Sequence, residues 1–288
     1  MDLLLVLSLE ALKAIASLAL ISVGLAIIFG MMRVINLAHG EFLMLGGYAA
    51  IVATKAGINI WLATLLVSPL VVGAIGVIIE RTIIRFLYGR PRDTMLATWG
   101  LSLFLVGLAT TVFGNTTEGI SAPAGSLEIG NYRIAAYSLT IIAIAIVVFA
   151  AIWAVFRFTR YGLIARSTMQ NADMAAALGV NPSLVYAVTF SVGAGLAGLA
   201  GGVMAPITGI VPTIGAAYVA KAFITVIGGG PAILMGTVSA SVLFGSIDQV
   251  ITYLSTPVIG EVARLGAAVV LLRFMPQGIT GSFFRRAT

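Results

Sequence analysis

Long hydrophobic runs separated by short polar interruptions dominate this chain. A run of about 20 apolar residues is long enough to cross a bilayer as an α-helix. Such runs are predicted at 8–30, 61–79, 95–113, 136–156, 182–205 and 232–253. Shorter apolar helices are predicted at 42–56, 218–227 and 261–274. The pattern therefore predicts an all-α, polytopic integral membrane protein of eight or nine helices, forming one transmembrane domain over residues 1–288.

Two breaks in the apolar pattern occupy corresponding places in two related halves, about 1–135 and 136–288. The break 36–41 and the break 212–215 each precede a short helix. Paired interruptions of this kind indicate a transport path near the bilayer midplane, because irregular backbone at membrane depth is tolerated only inside protein or beside water. The predicted path residues are Asn36, His39, Gly40, Glu41, Pro212, Gly215, Lys221 and Thr225.

Several of these polar residues also have an interpretation without transport. Asn36 and His39 could cap the start of a helix, and Glu41 in a first helical turn suits the positive helix end. Lys221 and Asp248 are close enough to span ends to extend outwards to the membrane interface. Thr225 could make a hydrogen bond between packed helices. The sequence leaves these alternatives open.

A segment between the fifth and sixth spans, 157–181, is polar and mostly basic. Within it, good helix formers predict one amphipathic helix over 164–178, ended by Gly179 as a C-cap and by Asn181-Pro182. The alternative is a solvated connecting loop. The expected apolar stripe of the helix is Ile164, Ser167/Thr168, Asn171, Met174/Ala175 and Leu178.

Small residues on the sixth span predict close helix packing. Ala194, Gly198 and Gly202 are four residues apart on one face, and Gly193, Ala197 and Gly201 are four apart on another. Faces of this kind let helix backbones approach each other closely.

Charge predicts the orientation of the chain in the membrane. The net charge of +6 comes from basic residues at span ends, so it reports topology rather than nucleic-acid binding. The basic loops 80–93 and 157–181 and the C-terminal tail are expected in the cytoplasm, and the loop 114–135 outside. The N-terminus, read as a retained span, is then expected outside. The basic residues of the tail are Arg273, Arg285 and Arg286.

Composition argues against a catalytic role. The chain is 60% hydrophobic and 9% charged, with a mean hydropathy of +1.12, whereas soluble proteins contain about 25% charged residues. No length remains for a separate soluble catalytic or nucleotide-binding domain. With no cysteine and one histidine, thiol catalysis and multi-histidine metal sites are disfavoured, and no phosphate-binding loop motif occurs. We expect no catalytic, metal or cofactor-binding residues.

The segment GLAIIFGMMRVINLAHGEFLMLGGYAA (24–50) closely resembles the inner-membrane permeases of branched-chain (hydrophobic) amino acid ABC importers. YGLIARSTMQNADMAAALGV, VTFSVGAGLAGLAGG, KAFITVIGGG and MPQGITG agree in the second half, so the resemblance covers nearly the whole chain. Urea and short-chain amide importers form a sister branch, which Gln170-Asn171 before Met174-Ala175 resembles, whereas Lys221-Ala222-Phe223 is similar to the amino-acid branch. Gly230-Pro231 departs from the usual pattern after the glycine pair.

The resemblance implies a permease subunit with partners. These are a second permease, two cytoplasmic ATPase subunits that hold ATP and Mg²⁺, and an external binding protein that the loop 114–135 could meet. The permease would sit in a bacterial-type inner membrane and hydrolyse no ATP itself. A stand-alone channel or carrier is the competing hypothesis, and the cargo is left open. The residues expected to couple to the ATPase are Arg160, Gly162, Arg166, Asp173, Ala176, Leu178 and Gly179.

Overall fold

The computed structural model describes residues 2–123, 125–129 and 132–284, without the side chains of 3, 127, 129 and 282–284. Arg285 and Arg286 of the predicted basic tail lie outside the described residues. Over the described part, helices account for nearly all regular structure, which confirms the all-α class. The helices are α1 (Asp2–Met32), α2 (His39–Lys55), α3 (Ile60–Leu62), α4 (Ser68–Thr82), α5 (Pro91–Phe113), α6 (Tyr137–Phe158), α7 (Arg160–Gln170), α8 (Ala172–Ala177), α9 (Pro182–Thr208), α10 (Gly215–Gly229), α11 (Ile233–Leu254), α12 (Pro257–Phe274) and α13 (Gly278–Phe284).

Among the described residues, six helical segments are long and apolar enough to cross a membrane. A π-helical turn, Ala63–Val67, joins α3 to α4, so that this span runs unbroken over Ile60–Thr82. The six segments match the six predicted long runs, and α10 is a shorter apolar helix, as expected. They are Leu4–Met32, Ile60–Thr82, Pro91–Phe113, Tyr137–Phe158, Pro182–Thr208 and Ile233–Leu254.

The loop between α5 and α6 contains a β-hairpin, which the sequence pattern does not predict. Strands β1 (Ser126–Ile129) and β2 (Tyr132–Ala135) pair antiparallel, with Ser126 opposite Ala135. Glu128 and Arg133 face each other across the pair, and the Arg133 Nη2 atom lies 2.6 Å from the Glu128 Oε1 atom. The many glycine, asparagine and proline residues around these short strands indicated an irregular loop instead.

The packing divides the chain into two compact units. The terminal unit contains Met1–Ser22, Ser121–Phe149 and Lys221–Thr288, and the central unit contains Val23–Ile120 and Ala150–Ala220. Each unit therefore combines segments that are distant in sequence. The division into two related halves rests on sequence similarity within the chain, and it stays a prediction.

Helix α9 lies at the centre of the central unit, because its small residues let the backbones of three neighbouring helices approach it closely. A β-carbon on Gly201 would lie 1.8 Å from the Leu43 carbonyl oxygen of α2. On the other predicted face, a β-carbon on Gly198 would lie 2.9 Å from the Ser68 carbonyl oxygen of α4. On the same face as Gly201, one on Gly193 would lie 2.8 Å from the Gly24 carbonyl oxygen of α1. The predicted close packing by the small residues of this span is confirmed.

Candidate functional site

A buried turn between α1 and α2 contains the first predicted break. The Thr98 hydroxyl of α5 accepts a hydrogen bond from the Leu37 amide at 3.1 Å, and its Oγ1 atom lies 3.1 Å from the Ile35 carbonyl oxygen. Asn36 is fully buried, and its Oδ1 atom accepts the Ala38 amide at 3.1 Å. The turn is therefore fixed to α5 from both sides of Asn36.

Helix α2 begins without a side-chain cap. Its N-cap is Ala38, whose methyl side chain cannot accept a hydrogen bond from the first-turn amides. The expectation that Asn36 or His39 caps the helix is therefore wrong, because Asn36 bonds within the preceding turn and His39 is already the first helical residue. Glu41 does lie in the first turn, as expected.

The two predicted breaks meet within the central unit. A β-carbon on Gly40 would lie 1.9 Å from the Gly215 carbonyl oxygen, so the start of α2 touches the start of α10 backbone to backbone. Glu41 is buried beside this contact, and a β-carbon on Gly215 would lie 2.7 Å from the Glu41 Oε1 atom. The structure thus brings Gly40, Glu41 and Gly215 together, with Pro212 buried in the turn before α10.

Two buried polar atoms at these breaks have no hydrogen-bond partner within the described residues. They are the Oε2 atom of Glu41 and the Nδ2 atom of Asn36. Leaving a buried polar atom unsatisfied costs about 1–3 kcal/mol. Ionisable side chains at membrane depth are functional suspects by default, and Glu41 fits that description.

The turn 209–214 is held in place by the loop after α5. The Glu118 amide donates to the Ile210 carbonyl at 2.9 Å, and the Ile210 amide donates to the Glu118 carbonyl at 2.7 Å. The Glu118 carboxylate also forms an ion pair with Lys55 at the end of α2. Both ends of α2 are therefore tied to the segment that leads into α10.

Lys221 and Thr225 lie in the terminal unit, and Lys221 belongs to an ion network that the sequence pattern does not predict. The Lys221 ammonium lies 2.5 Å from the Glu261 carboxylate, and Arg264 lies 3.0 Å from Asp248 and 3.8 Å from Glu261. Lys221 and Asp248 are therefore each paired with a charged side chain of α12, and their extension to the membrane interface stays a prediction. Glu261 and Arg264, spaced three residues apart on one helix, were the available signal.

Thr225 has a local role in the structure. Its hydroxyl donates to the Lys221 carbonyl of the preceding turn at 2.8 Å. This bond satisfies the buried hydroxyl within α10 itself, which is a common arrangement for threonine in apolar helices.

The basic segment begins with a close fold-back of α7 onto the end of α6. The Thr159 hydroxyl caps α7 by accepting the Gly162 amide at 3.1 Å. A β-carbon on Gly162 would lie 2.3 Å from the Val155 carbonyl oxygen, so only glycine fits here. Gly162 permits the sharp turn by its small size, since its φ is not positive.

The predicted single helix over 164–178 is two helices. Asn171 adopts an extended backbone, with φ −155° and ψ 102°, and its side chain accepts the Met174 amide at 2.9 Å to cap α8. Asparagine competes with helix geometry by bonding its own backbone in this way, so α7 ends at Gln170 and a new helix starts. The prediction of one stiff helix was wrong for this reason.

The break also changes which side chains face outwards. Ala165 and Thr168 of α7 and Ala175 of α8 are buried, but Met174 is 60% exposed and Leu178 is 79% exposed. The continuous apolar stripe predicted through Met174 and Leu178 therefore does not exist. Its two apolar members at the C-terminal end form part of an exposed surface.

That surface also contains most of the predicted coupling residues. Gly179 adopts φ +87°, and the Gly179 and Val180 amides close the end of α8 on the Ala176 and Ala175 carbonyls at 2.9 and 3.0 Å, which confirms the predicted C-cap. Gly162 differs, because it is buried against α6. The exposed members are Arg160, Arg166, Asp173, Ala176, Leu178 and Gly179.

Comparisons with known proteins give a consistent result. The family model described as the permease component of the branched-chain amino acid transport system matches residues 8–275. The high-affinity branched-chain amino acid transport system permease protein LivH of Escherichia coli K12 is 30% identical over 282 residues, covering 91% of each chain. The corresponding permease protein BraD of Pseudomonas aeruginosa is 28% identical over 289 residues, again covering 91% of each chain.

A solved structure supports the fold alone. PsaBC from Streptococcus pneumoniae in complex with Fab superposes with a TM-score of 0.51 at 12% identity, covering 91% of this chain and 90% of that chain.

Proposed function

Because this chain belongs to the family of branched-chain amino acid transport permeases, we propose that its cargo is branched-chain and other hydrophobic amino acids. The protein is a multi-pass inner-membrane permease subunit of an ABC importer. Agreement along 91% of the chain with permeases named for this cargo carries the proposal. The selectivity itself we assign largely to the external binding protein.

Uptake measurements test the cargo. Cells that express this chain with its neighbouring transport genes should accumulate labelled leucine, isoleucine or valine, and cells lacking only this chain should not. Urea and short-chain amides are measured in parallel, since Gln170-Asn171 resembles that sister branch. Saturable urea or amide uptake without amino-acid uptake would replace the proposed cargo.

For the translocation path we propose the region where α2 and α10 begin, with Asn36, His39, Gly40, Glu41, Pro212 and Gly215. The backbone contact between Gly40 and Gly215 supports it, because it joins the two interrupted segments that the transport hypothesis rests on. Lys221 and Thr225 are included from the sequence pattern alone. Their contacts within the terminal unit do not by themselves support a place on the path.

For ATP coupling we propose that the segment 160–179 docks to a cytoplasmic ATPase. Exposed Met174 and Leu178 beside the charged Arg166 and Asp173 support this, because apolar side chains exposed within a polar segment mark a protein contact. Gly162 contributes by holding α7 against α6, so that a push on α7 reaches the span directly. ATP and Mg²⁺ would bind to the ATPase subunits, and this chain would not hydrolyse ATP.

The proposed assembly contains a second permease, identical or related, two ATPase subunits and an external binding protein. The loop 114–135, including the hairpin β1–β2, is the proposed contact for the binding protein, and the C-terminus lies in the cytoplasm. Proteoliposomes separate this assembly from a stand-alone channel or carrier. Leucine flux should require the ATPases and ATP, and equal flux from this chain alone would refute the coupled mechanism.

A further inference from the structure

An apolar cavity of about 280 Å³ lies inside the central unit, between α1, α6, α7 and α9. Its wall is built from aliphatic and aromatic side chains, among them Ile27, Met31, Ile152 and Phe156. The rim is open towards the outside of the helices, since Val155, Val188 and Val192 are each more than a third exposed. A ligand could therefore enter the cavity laterally, from the bilayer around the spans.

The polar groups of the wall are already satisfied. The Tyr161 hydroxyl lies 3.2 Å from the Thr189 Oγ1 atom, and the Thr189 hydroxyl donates to the Val185 carbonyl at 2.7 Å. Burial raises the pKa of Tyr161, with a smaller opposing effect from the hydrogen bond to Thr189, so its hydroxyl stays neutral. The cavity thus favours an apolar occupant.

One end of the cavity lies beside a cluster of basic and aromatic side chains. Arg157 directly follows the lining residue Phe156, and Arg160 directly precedes the lining residue Tyr161. Both arginines are exposed. The Arg157 guanidinium lies 5.9 Å from the centre of the Phe158 ring, which packs edge to face with Trp153. Tryptophan and arginine at the end of a span mark the headgroup level of a bilayer. In the part of the chain that the structure covers, neither arginine forms an ion pair with an acidic side chain.

We propose that this cavity binds an acyl chain of an anionic phospholipid, whose phosphate lies against Arg157 and Arg160. The apolar wall fits the acyl chain. The two guanidinium groups at the headgroup level, which have no acidic partner among the described residues, fit the charge of the phosphate. Basic pockets between spans on the cytoplasmic side are recognised sites for anionic headgroups. The bound lipid would contact Tyr161 in the first turn of α7, the helix that we assign to ATPase coupling.

Native mass spectrometry of the purified chain tests the proposal. The protein is equilibrated with mixed micelles of phosphatidylglycerol and phosphatidylcholine, and the retained lipids are counted. The wild-type chain should retain phosphatidylglycerol preferentially. Arg157→Gln and Arg160→Gln should each weaken its retention about fivefold, without changing that of phosphatidylcholine. Arg92→Gln, also at an exposed arginine, is the charge control.

A second pair of variants tests the cavity itself. Val192→Trp should fill the groove and reduce the preferential retention of phosphatidylglycerol, whereas Val242→Trp on α11 should not, although both valines are 46% exposed. Equal retention of the two lipids by the wild-type chain would overturn the proposal. So would unchanged phosphatidylglycerol retention in the double variant Arg157→Gln/Arg160→Gln, whose exposed side chains the fold does not need. This result is independent of whether the chain transports amino acids.

Discussion

At the scale of single residues, the contact between Gly40 and Gly215 leaves no volume for a side chain. We predict that Gly40→Ala or Gly215→Ala abolishes amino-acid uptake, because the added carbon would collide with backbone that cannot move aside, at a cost of about 1–3 kcal/mol. Thermal unfolding in detergent and uptake in vesicles measure both effects. Gly100→Ala is the control, since nothing lies within 4 Å of a β-carbon there. Normal stability and uptake in Gly40→Ala would contradict the close contact.

The ion network of the terminal unit makes a second residue-scale prediction. Arg264 is only 5% exposed and holds Asp248 at 3.0 Å. We predict that Arg264→Leu lowers the free energy of unfolding by about 3–5 kcal/mol, because it leaves the Asp248 carboxylate, which is only 23% exposed, without its partner. Arg133→Leu, in an exposed pair of the hairpin, should cost less than about 1 kcal/mol.

The double variant Asp248→Leu/Arg264→Leu sharpens this prediction. It removes both charges, so it should recover most of the stability lost in Arg264→Leu. Melting temperatures of the purified variants provide the comparison. A double variant as unstable as the single one would show that the arginine acts through packing rather than through charge.

At the scale of elements, substitutions at Gly179, at the end of α8, distinguish the effect of backbone strain from the loss of ATPase docking. Gly179 has φ +87°, and nothing lies within 4 Å of a β-carbon built on it. We predict that Gly179→Arg abolishes uptake while the protein stays in the membrane, because the side chain projects into the proposed ATPase contact. Gly57→Arg is the matched control, with φ +90° and equally open surroundings. Uptake and membrane content are measured for both.

A shared loss of uptake and a third variant both bear on this assignment. Loss of uptake in both variants would point to backbone strain alone and would contradict the coupling assignment. Gly179→Asn should retain uptake, because asparagine tolerates the left-handed conformation and has a short side chain.

The sequence predicted elements well where length and hydropathy decide them. All six long spans and the short α10 could be read from apolar runs, because a bilayer requires helices of that length. The break at Asn171 could not be read from the sequence. Nearly all residues of 164–178 are good helix formers, so the pattern predicts one helix and hides the effect of a single capping side chain. The hairpin was missed because its strands are short and follow a glycine-rich loop.

At the scale of the whole molecule, the predicted sidedness can be tested cleanly because the chain has no cysteine. We predict that Ser126→Cys in the hairpin reacts with an impermeant maleimide in intact cells. Arg92→Cys in the basic loop 80–93 should react only after permeabilisation, since positive loops stay in the cytoplasm. Labelling of Arg92→Cys in intact cells would reverse the assigned orientation.

The candidate site was only partly predictable at this scale. The breaks 36–41 and 212–215 were recognisable as related interruptions, but their direct contact depends on how α9 packs against α1, α2 and α4. The ion network was missed because Lys221, Asp248 and Arg264 lie on three different helices. Single-sequence patterns report which face of a helix is apolar, and they do not report which helices become neighbours.

The interleaved terminal unit has a consequence for biogenesis. Leu18 packs in one cluster with Phe244, Ala268 and Leu271, and Gly245 lies directly against Ile15. The first part of α1 is therefore translated long before the helices that cover it. During synthesis, lipid or an insertion chaperone must shield that surface. A chain that ends before α11 because translation stops early would leave this part of α1 uncovered, and it would be a substrate for membrane proteases.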